Sequence, residues 1–143
     1  MLKYKIGLIV GLTVLAGFFL APNEPAMSSA QKINWHTYEE GSDLARRQNR
    51  NMVIYFFADW CTYCVQMEKE TFADPAVIDF LNNNAIAVKV DVDREKRIAR
   101  QFGVRGLPAT FLLLNNGRQV GPLPGFIPPR NYLAMLSKIF SQS

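Results

Sequence analysis

The chain has 143 residues, of which 49% are hydrophobic and 20% are charged, and its formal net charge is +4. That length and composition suit one domain with an ordinary core. Basic residues alternate with acids without a stripe of interleaved aromatic side chains, so nothing indicates nucleic-acid binding. The two cysteines lie in a single C-x-x-C, which leaves neither a disulfide framework nor a four-ligand zinc site, and we expect no metal and no cofactor.

The first 30 residues have the layout of an export signal. A short basic segment containing Lys3 and Lys5 precedes an uncharged apolar run, residues 6–21, which is slightly short for a membrane span. A small-residue cleavage pattern at Ser28-Ser29-Ala30 lies rather far from that run, so an uncleaved membrane anchor is the alternative. Either way the two lysines stay inside and the rest of the chain is exported. We predict a signal peptide or anchor plus linker over 1–30 and an oxidising compartment, the bacterial periplasm, for the remainder.

Beyond the leader, strand-like and helix-like segments alternate. A short edge strand is predicted at 33–35. The pattern at 37–49 predicts a helix in which Gly41 is unfavourable and Arg50 follows as a solvated residue. The next apolar run, 52–58, is rich in β-branched and aromatic residues and fits a strand buried on both faces.

The second half of the chain continues the alternation after a helix that follows the cysteine pair. Its predicted elements are, in order, a short helix that begins at Pro75 and is stopped by Asn82-Asn83-Asn84, a strand at 85–90, a helix at 94–102 capped by Asp93, a strand at 110–114, a hairpin turn at Asn115-Asn116-Gly117, a more exposed strand at 118–123 and a final helix that begins at Pro128-Pro129. This order predicts one α/β domain over 31–143, with a mixed central sheet flanked by helices.

The cysteine pair lies where the predicted buried strand ends and a helix begins. A cysteine at the start of a helix faces free backbone N–H groups and the positive end of the helix dipole, which favour the thiolate. Cys64 follows one turn later, close enough to form a disulfide with Cys61. We predict that Cys61 is the exposed nucleophile and Cys64 the resolving thiol of a two-electron switch. A purely structural disulfide is disfavoured, because so small a ring constrains the unfolded chain little.

Four features in this order resemble the thioredoxin family. They are the buried strand, Trp60-Cys61-Thr62-Tyr63-Cys64, the segment Gly106-Leu107-Pro108-Ala109-Thr110 and the hairpin–helix end. Within the family, the chain most resembles the C-terminal domain of the bacterial thiol:disulfide interchange protein DsbD, through Tyr55–Cys61, Met67–Pro75 and Gly106–Pro108. The resemblance implies a thioredoxin-like fold, a cis Pro108 that lies against the cysteine pair, and a Leu107 backbone turned toward a bound extended peptide.

The chain departs from the family pattern at three places. Its cysteines are separated by Thr62-Tyr63, Tyr55 stands where many relatives have a buried Asp, and Val65 replaces a frequent Lys. These changes bear on the redox potential and on the direction of electron flow.

Several residues around the pair are candidates for supporting roles. Glu68 falls four residues after Cys64 on the same helical face, where a carboxylate would raise thiol pKa values and could carry the Cys64 proton; the alternative is a solvated acid. Asp59 is a similar but more exposed candidate. We expect Trp60 to pack over the rim of the site, and the exposed Tyr63 to affect partner choice unless it is an ordinary surface aromatic.

The sequence therefore predicts an exported thiol–disulfide oxidoreductase that reduces disulfides in other exported proteins through Cys61 and Cys64. Trp60, Tyr63, Leu107 and Pro108 would contact the substrate. We expect a monomer that a membrane-bound electron donor re-reduces, and residues 6–21 could attach it to the membrane. The alternatives are a disulfide oxidase or isomerase, and a thioredoxin-like binding module without redox activity.

Overall fold

A computed structural model describes residues 31–142. The predicted signal or anchor and its linker, residues 1–30, lie outside the described residues. Between residues 31 and 142, no helix is both long and apolar enough to cross a bilayer.

Ten elements follow one another along the described chain. They are β1 (Trp35–His36), α1 (Tyr38–Gln48), β2 (Asn51–Phe57), α2 (Thr62–Glu70), α3 (Pro75–Asn84), β3 (Ala85–Asp91), α4 (Lys96–Gln101), β4 (Ala109–Leu113), β5 (Gln119–Pro124) and α5 (Pro129–Phe140).

The strands form one sheet in the order β1-β3-β2-β4-β5. β3 pairs in parallel with both β1 and β2, whereas β4 pairs antiparallel with β2 and β5. The mixed sheet predicted from the alternation of elements is therefore confirmed.

Two apolar layers pack on the two faces of the sheet, and alternate side chains of β2 enter each layer. Val53 and Tyr55 belong to the layer with α2, α3 and α5, whereas Ile54 and Phe56 belong to the layer with α1 and α4. All four side chains are fully buried. A strand buried on both faces explains why this run of sequence is continuously apolar.

Two helix boundaries differ from the sequence prediction. The three asparagines do not stop α3 but form its last turn, where Asn83 bonds Asp79 and Asn84 donates to the Phe80 carbonyl. α4 starts two residues later than predicted, and its N-cap residue, Glu95, makes no side-chain capping bond. The predicted cap, Asp93, instead accepts a hydrogen bond from the Trp60 indole.

Arg50 is not a solvated residue, contrary to the sequence prediction. Its Nη2 donates to the carbonyls of Asn82, Asn83 and Ala85 at 3.1–3.3 Å. The last carbonyls of a helix lack partners within the helix, so the guanidinium satisfies the end of α3 and ties it to the start of β2.

Gly41 is placed inside α1 because the helix lies against β3 at that point. A Cβ atom there would overlap the Cγ2 of Val88 and would lie 3.5 Å from the Cγ2 of Ile86. The capping box formed by Thr37 and Glu40 offsets the low helix propensity of glycine at this end of α1. The close approach of helix and sheet, which sequence cannot show, explains the unfavourable residue.

We expect Gly41→Ala to destabilise the protein by about 1–3 kcal/mol, because overlap with Val88 outweighs the gain of about 1 kcal/mol in helix propensity. Denaturant unfolding of Gly41→Ala, Val88→Ala and the double variant measures this. The double variant should be more stable than the sum of the two single effects, since Val88→Ala makes room for the new methyl group. Additive effects, or a stabilised Gly41→Ala, would show that the helix does not press on β3.

Candidate active site

Cys61 lies at the N-terminus of α2, directly after the turn that leaves β2. The turn is closed by a hydrogen bond from the Cys61 N–H to the Ala58 carbonyl at 3.1 Å. Cys61 then acts as the N-cap of the helix, with its Sγ accepting from the Cys64 N–H at 3.2 Å. The sulfur therefore accepts from a first-turn N–H, which also donates to the Cys61 carbonyl, and lies at the positive end of the helix dipole, a setting that favours a thiolate when the pair is reduced.

Cys61 and Cys64 form a disulfide, and their Cα atoms are 5.2 Å apart. Cys64 is 1% exposed and Cys61 only 6% exposed, so the expectation of an exposed Cys61 is wrong for this oxidised state. The cause is the cap itself, because a sulfur turned onto the helix end packs with the core layer of α2. Cys61 is nevertheless the more accessible of the two sulfur-bearing residues, and exposed side chains surround it.

Pro108 lies at the same edge of the sheet as the disulfide. β4 runs antiparallel to β2, and its first residue, Ala109, pairs with Phe56. Pro108, which precedes Ala109, therefore lies next to the end of β2, from which the chain continues to Cys61. The Leu107–Pro108 peptide bond is cis. The Pro108 carbonyl accepts from the Gly125 N–H at 2.8 Å, which holds this loop to the segment that follows β5.

The Trp60 indole is fixed at the rim of the site by a residue from the loop between β3 and α4. Its Nε1–H donates to Asp93 Oδ2 at 2.8 Å, while its side chain remains 71% exposed. Asp93 therefore anchors Trp60, and this bond accounts for its failure to cap α4. A tryptophan that is fixed at one edge and exposed on its faces is suited to contact with a partner.

Three large hydrophobic side chains are exposed within residues 31–142, and all three flank the cysteine pair. They are Trp60, Tyr63 at 62% and Val65 at 42%. Since exposed apolar groups on a small domain mark interaction sites when they cluster, this rim is a candidate docking surface. The predicted exposure of Tyr63 agrees with the structure.

Glu68 pairs with Lys89, a residue that sequence analysis did not single out. Its Oε1 is 3.0 Å from Lys89 Nζ, and both side chains are partly buried, at 39% and 26% exposure. Lys89 also lies 4.3 Å from the centre of the Phe57 ring. A charged residue within the predicted buried strand 85–90 was the signal that could have identified Lys89, because charges are rarely buried without a partner.

Tyr55, a buried residue of β2, contacts the backbone of Cys64. Its hydroxyl donates to the Cys64 carbonyl at 3.3 Å, and burial and the nearby Glu68 carboxylate raise the pKa of this phenol. The neutral hydroxyl therefore ties β2 to the first turn of α2. The pKa of Tyr132 is raised by burial as well, against a smaller opposing effect of the Thr110 side chain, which lies too far away or at too poor an angle for a good hydrogen bond to the Tyr132 hydroxyl.

Asp59 is exposed and forms neither a hydrogen bond nor an ion pair with any residue between 31 and 142. It borders a cavity of about 360 Å³ with Lys89 and Arg94. The structure thus brings Asp59 near the charged groups beside the site without giving it a fixed partner.

The disulfide is almost completely buried, and neither cysteine lines the cavity beside Asp59 or a second, larger cavity. This larger cavity, of about 740 Å³, lies near the opposite end of the sheet, where Met52 and Leu113 line it. In the part of the chain that the structure describes, no group of three or more His, Cys, Asp or Glu side chains could hold a metal ion. The geometry at Cys61 suits reactions with another macromolecule that reaches the surface.

Comparison with known proteins gives matches in sequence and in structure. Residues 38–140 match the family described as thioredoxin-like domain. The chain is 37% identical to thioredoxin H4 of Arabidopsis thaliana over 103 residues, which cover 70% of this chain and 83% of that protein. A thioredoxin from Thermus thermophilus has a similar structure, with a TM-score of 0.70, 29% identity and coverage of 76% of this chain and 87% of the other.

The chain is also similar to part of a longer protein. It is 27% identical over 101 residues to the thiol:disulfide interchange protein DsbD of Photorhabdus laumondii. The match covers 68% of this chain and 17% of that protein, so the chain spans a small part of this relative's length.

Proposed function

The chain belongs to the thioredoxin-like family of disulfide oxidoreductases, and from that premise we propose that it reduces disulfides in exported partner proteins. One observation carries the proposal: Cys61 caps α2 through its sulfur while bonded to Cys64, beside an exposed apolar rim. Once the pair is reduced, the Cys61 thiolate would be stabilised by the helix end, and its small exposed area beside this rim is where a partner's disulfide would reach it.

The reduced pair would act in two displacement steps. The Cys61 thiolate attacks one sulfur of the partner's disulfide, forming a mixed disulfide and releasing the partner's other sulfur as a thiolate, which takes a proton. Cys64 loses its proton and attacks the Cys61 sulfur, releasing the second partner thiol and restoring the Cys61–Cys64 disulfide. Two electrons pass from the pair to the partner, and a dithiol donor must return two electrons for the next cycle.

The partner would bind across the surface between α2 and the Pro108 loop. Trp60 and Tyr63 supply exposed aromatic faces on one side. Leu107, which is half-buried, supplies the opposite side, where an extended segment could lie along the backbone before the buried Pro108. Asp93 acts in this arrangement as a positioning residue through its bond to Trp60.

The charges near the sulfurs favour electron donation. The first turn of α2 carries no cation that would stabilise a thiolate, whereas the carboxylates Glu68 and Asp59 lie near the site. Nearby negative charge disfavours the thiolate and therefore the reduced form, which makes the pair a stronger reductant. Lys89 moderates this influence by pairing with Glu68.

The test is the equilibrium potential of the Cys61/Cys64 pair, measured against glutathione, for the wild type and for Glu68→Gln. We expect a wild-type pair more reducing than glutathione, and a less reducing pair in Glu68→Gln with about threefold to tenfold slower reduction of a model disulfide. Lys89→Gln, which frees the carboxylate, should shift the potential in the opposite direction. A strongly oxidising wild-type pair would instead assign the protein as a disulfide oxidase or isomerase.

Insulin reduction in the presence of dithiothreitol tests whether the pair exchanges disulfides at all. The wild type should accelerate the reaction, and Cys61→Ser should not. A wild type that gives no acceleration would leave a binding module as the remaining function of the fold.

Export is proposed from the basic and apolar order of residues 1–30, with a periplasmic or membrane-anchored location facing the periplasm. Because that compartment supplies little free reductant, a membrane protein would have to donate the electrons. The intact mass of the protein recovered from the cell envelope distinguishes cleavage after Ala30 from a retained anchor.

A further inference from the structure

Five cations and one acid lie within the twelve residues from Arg94 to Arg105. The cations, which we call the basic strip, are Arg94, Lys96, Arg97, Arg100 and Arg105, and all five are exposed. Arg94 contacts Asp91 at 3.3 Å, while the other four make no ion pair with any residue between 31 and 142. The positive charge of the strip is therefore largely uncompensated.

Both ends of the basic strip adjoin the candidate active site. At its start, Arg94 follows Asp93, which holds Trp60 at the rim by a 2.8 Å hydrogen bond. At its end, Arg105 stands three residues before Pro108, whose neighbour Ala109 pairs with Phe56 near the end of β2, the strand that leads to Cys61. A protein that brings its disulfide to Cys61 would therefore lie beside the two ends of the strip, whereas Arg97 lines the cavity near the opposite end of the sheet.

We propose that the basic strip selects partners whose reactive disulfide is flanked by acidic residues. This inference rests on the proposed exchange function and adds to it the charge of the substrate. Exposed, unpaired cations beside a reactive group attract an acidic partner and raise its rate of encounter, with an effect that salt screens. The exposed apolar rim then supplies short-range contact.

The test uses three synthetic peptides with the same disulfide loop, flanked by glutamates, glutamines or lysines. At about 20 mM NaCl, we expect the wild type to reduce the acidic peptide about ten times faster than the glutamine peptide, and the lysine peptide most slowly. At about 500 mM NaCl these differences should shrink to about twofold or less.

The variant Arg100→Glu/Arg105→Glu should lose or invert the preference for the acidic peptide. Its matched control is Arg118→Glu/Lys138→Glu, which changes the net charge equally at the β4–β5 turn and in the last turn of α5. Arg100 likewise lies in the last turn of its helix, so the two variants perturb helix ends similarly. The control should keep the wild-type ranking of the three peptides. If both variants lose the ranking, the preference depends on the net charge of the protein and not on the position of the basic strip.

A binding measurement separates this inference from the exchange function. The same peptides with serine in place of cysteine should bind the wild type in the same charge order, read by isothermal titration calorimetry. If the protein binds the serine peptides in that order but reduces none of the disulfide peptides, the exchange function alone is overturned. Equal binding of all three peptides, or binding of the strip to phosphatidylglycerol vesicles without any peptide preference, would overturn the inference.

Discussion

Replacing Cys64 with alanine is expected to trap the protein covalently on its partners through Cys61. The N–H of residue 64 would still donate to the Cys61 sulfur, so the attacking thiolate keeps its position at the end of α2. The second displacement, however, has lost its nucleophile. Turnover should fall by about a thousandfold or more, while a mixed disulfide accumulates.

Non-reducing electrophoresis with mass spectrometry of the trapped species measures this outcome. Cys61→Ala is the matched control, since Cys64 is 1% exposed and should capture no partner from its buried position. Complexes formed equally well by both variants would show that the two sulfurs do not have separate roles. Complete absence of a covalent species with any disulfide substrate would remove the exchange mechanism.

The sequence predicted those parts of the architecture for which a local pattern is compatible with only one structure. The apolar run of β2 predicted a strand buried on both faces, and Val53 and Phe56 indeed lie in opposite core layers. The two cysteines, three apart after that strand, predicted a disulfide at the start of a helix, which the structure contains. These inferences needed no long-range contacts.

Predictions that depended on distant partners were the ones that failed. Arg50 looked solvated from the sequence, but the end of α3 lies 32–35 residues away and binds its guanidinium. Asp93 looked like a cap for α4, but the Trp60 indole is its partner across 33 residues. Local sequence preferences could not identify these distant hydrogen-bond partners, because their positions depend on the packing of the whole sheet.

The supporting groups of the site were harder to predict for the same reason. Glu68 was identified by its helical spacing from Cys64, but spacing along α2 says nothing about β3, where Lys89 lies. Tyr55 was noted as a departure from the family pattern, without a role. In the structure its hydroxyl bonds the Cys64 carbonyl, so the residue that replaces an acid supports the helix by a neutral hydrogen bond.

Alkaline pH is expected to unfold the protein through the two buried tyrosines. Burial raises the pKa of Tyr55 and of Tyr132 above their ordinary value of about 10. A phenol whose pKa is higher in the folded state contributes its full stability below the pKa of the unfolded chain, and that stability is lost as pH rises toward the folded-state pKa. Each tyrosine should therefore remove about 1.4 kcal/mol per pH unit above pH 10.

The two phenols together should remove a large share of the stability as pH rises above about 10, because small domains are stable by only about 5–15 kcal/mol. Urea unfolding followed from about pH 8 to 12, with tyrosinate absorbance recorded in parallel, measures the loss. Tyr132→Phe should halve its steepness at little loss of stability near pH 8, because the hydroxyl it removes makes at most a weak contact with Thr110. Tyr63→Phe, at a side chain that is 62% exposed, should leave the curve unchanged. If Tyr132→Phe follows the wild-type curve as closely as Tyr63→Phe does, ionisation of the buried phenol is not what limits stability in alkali.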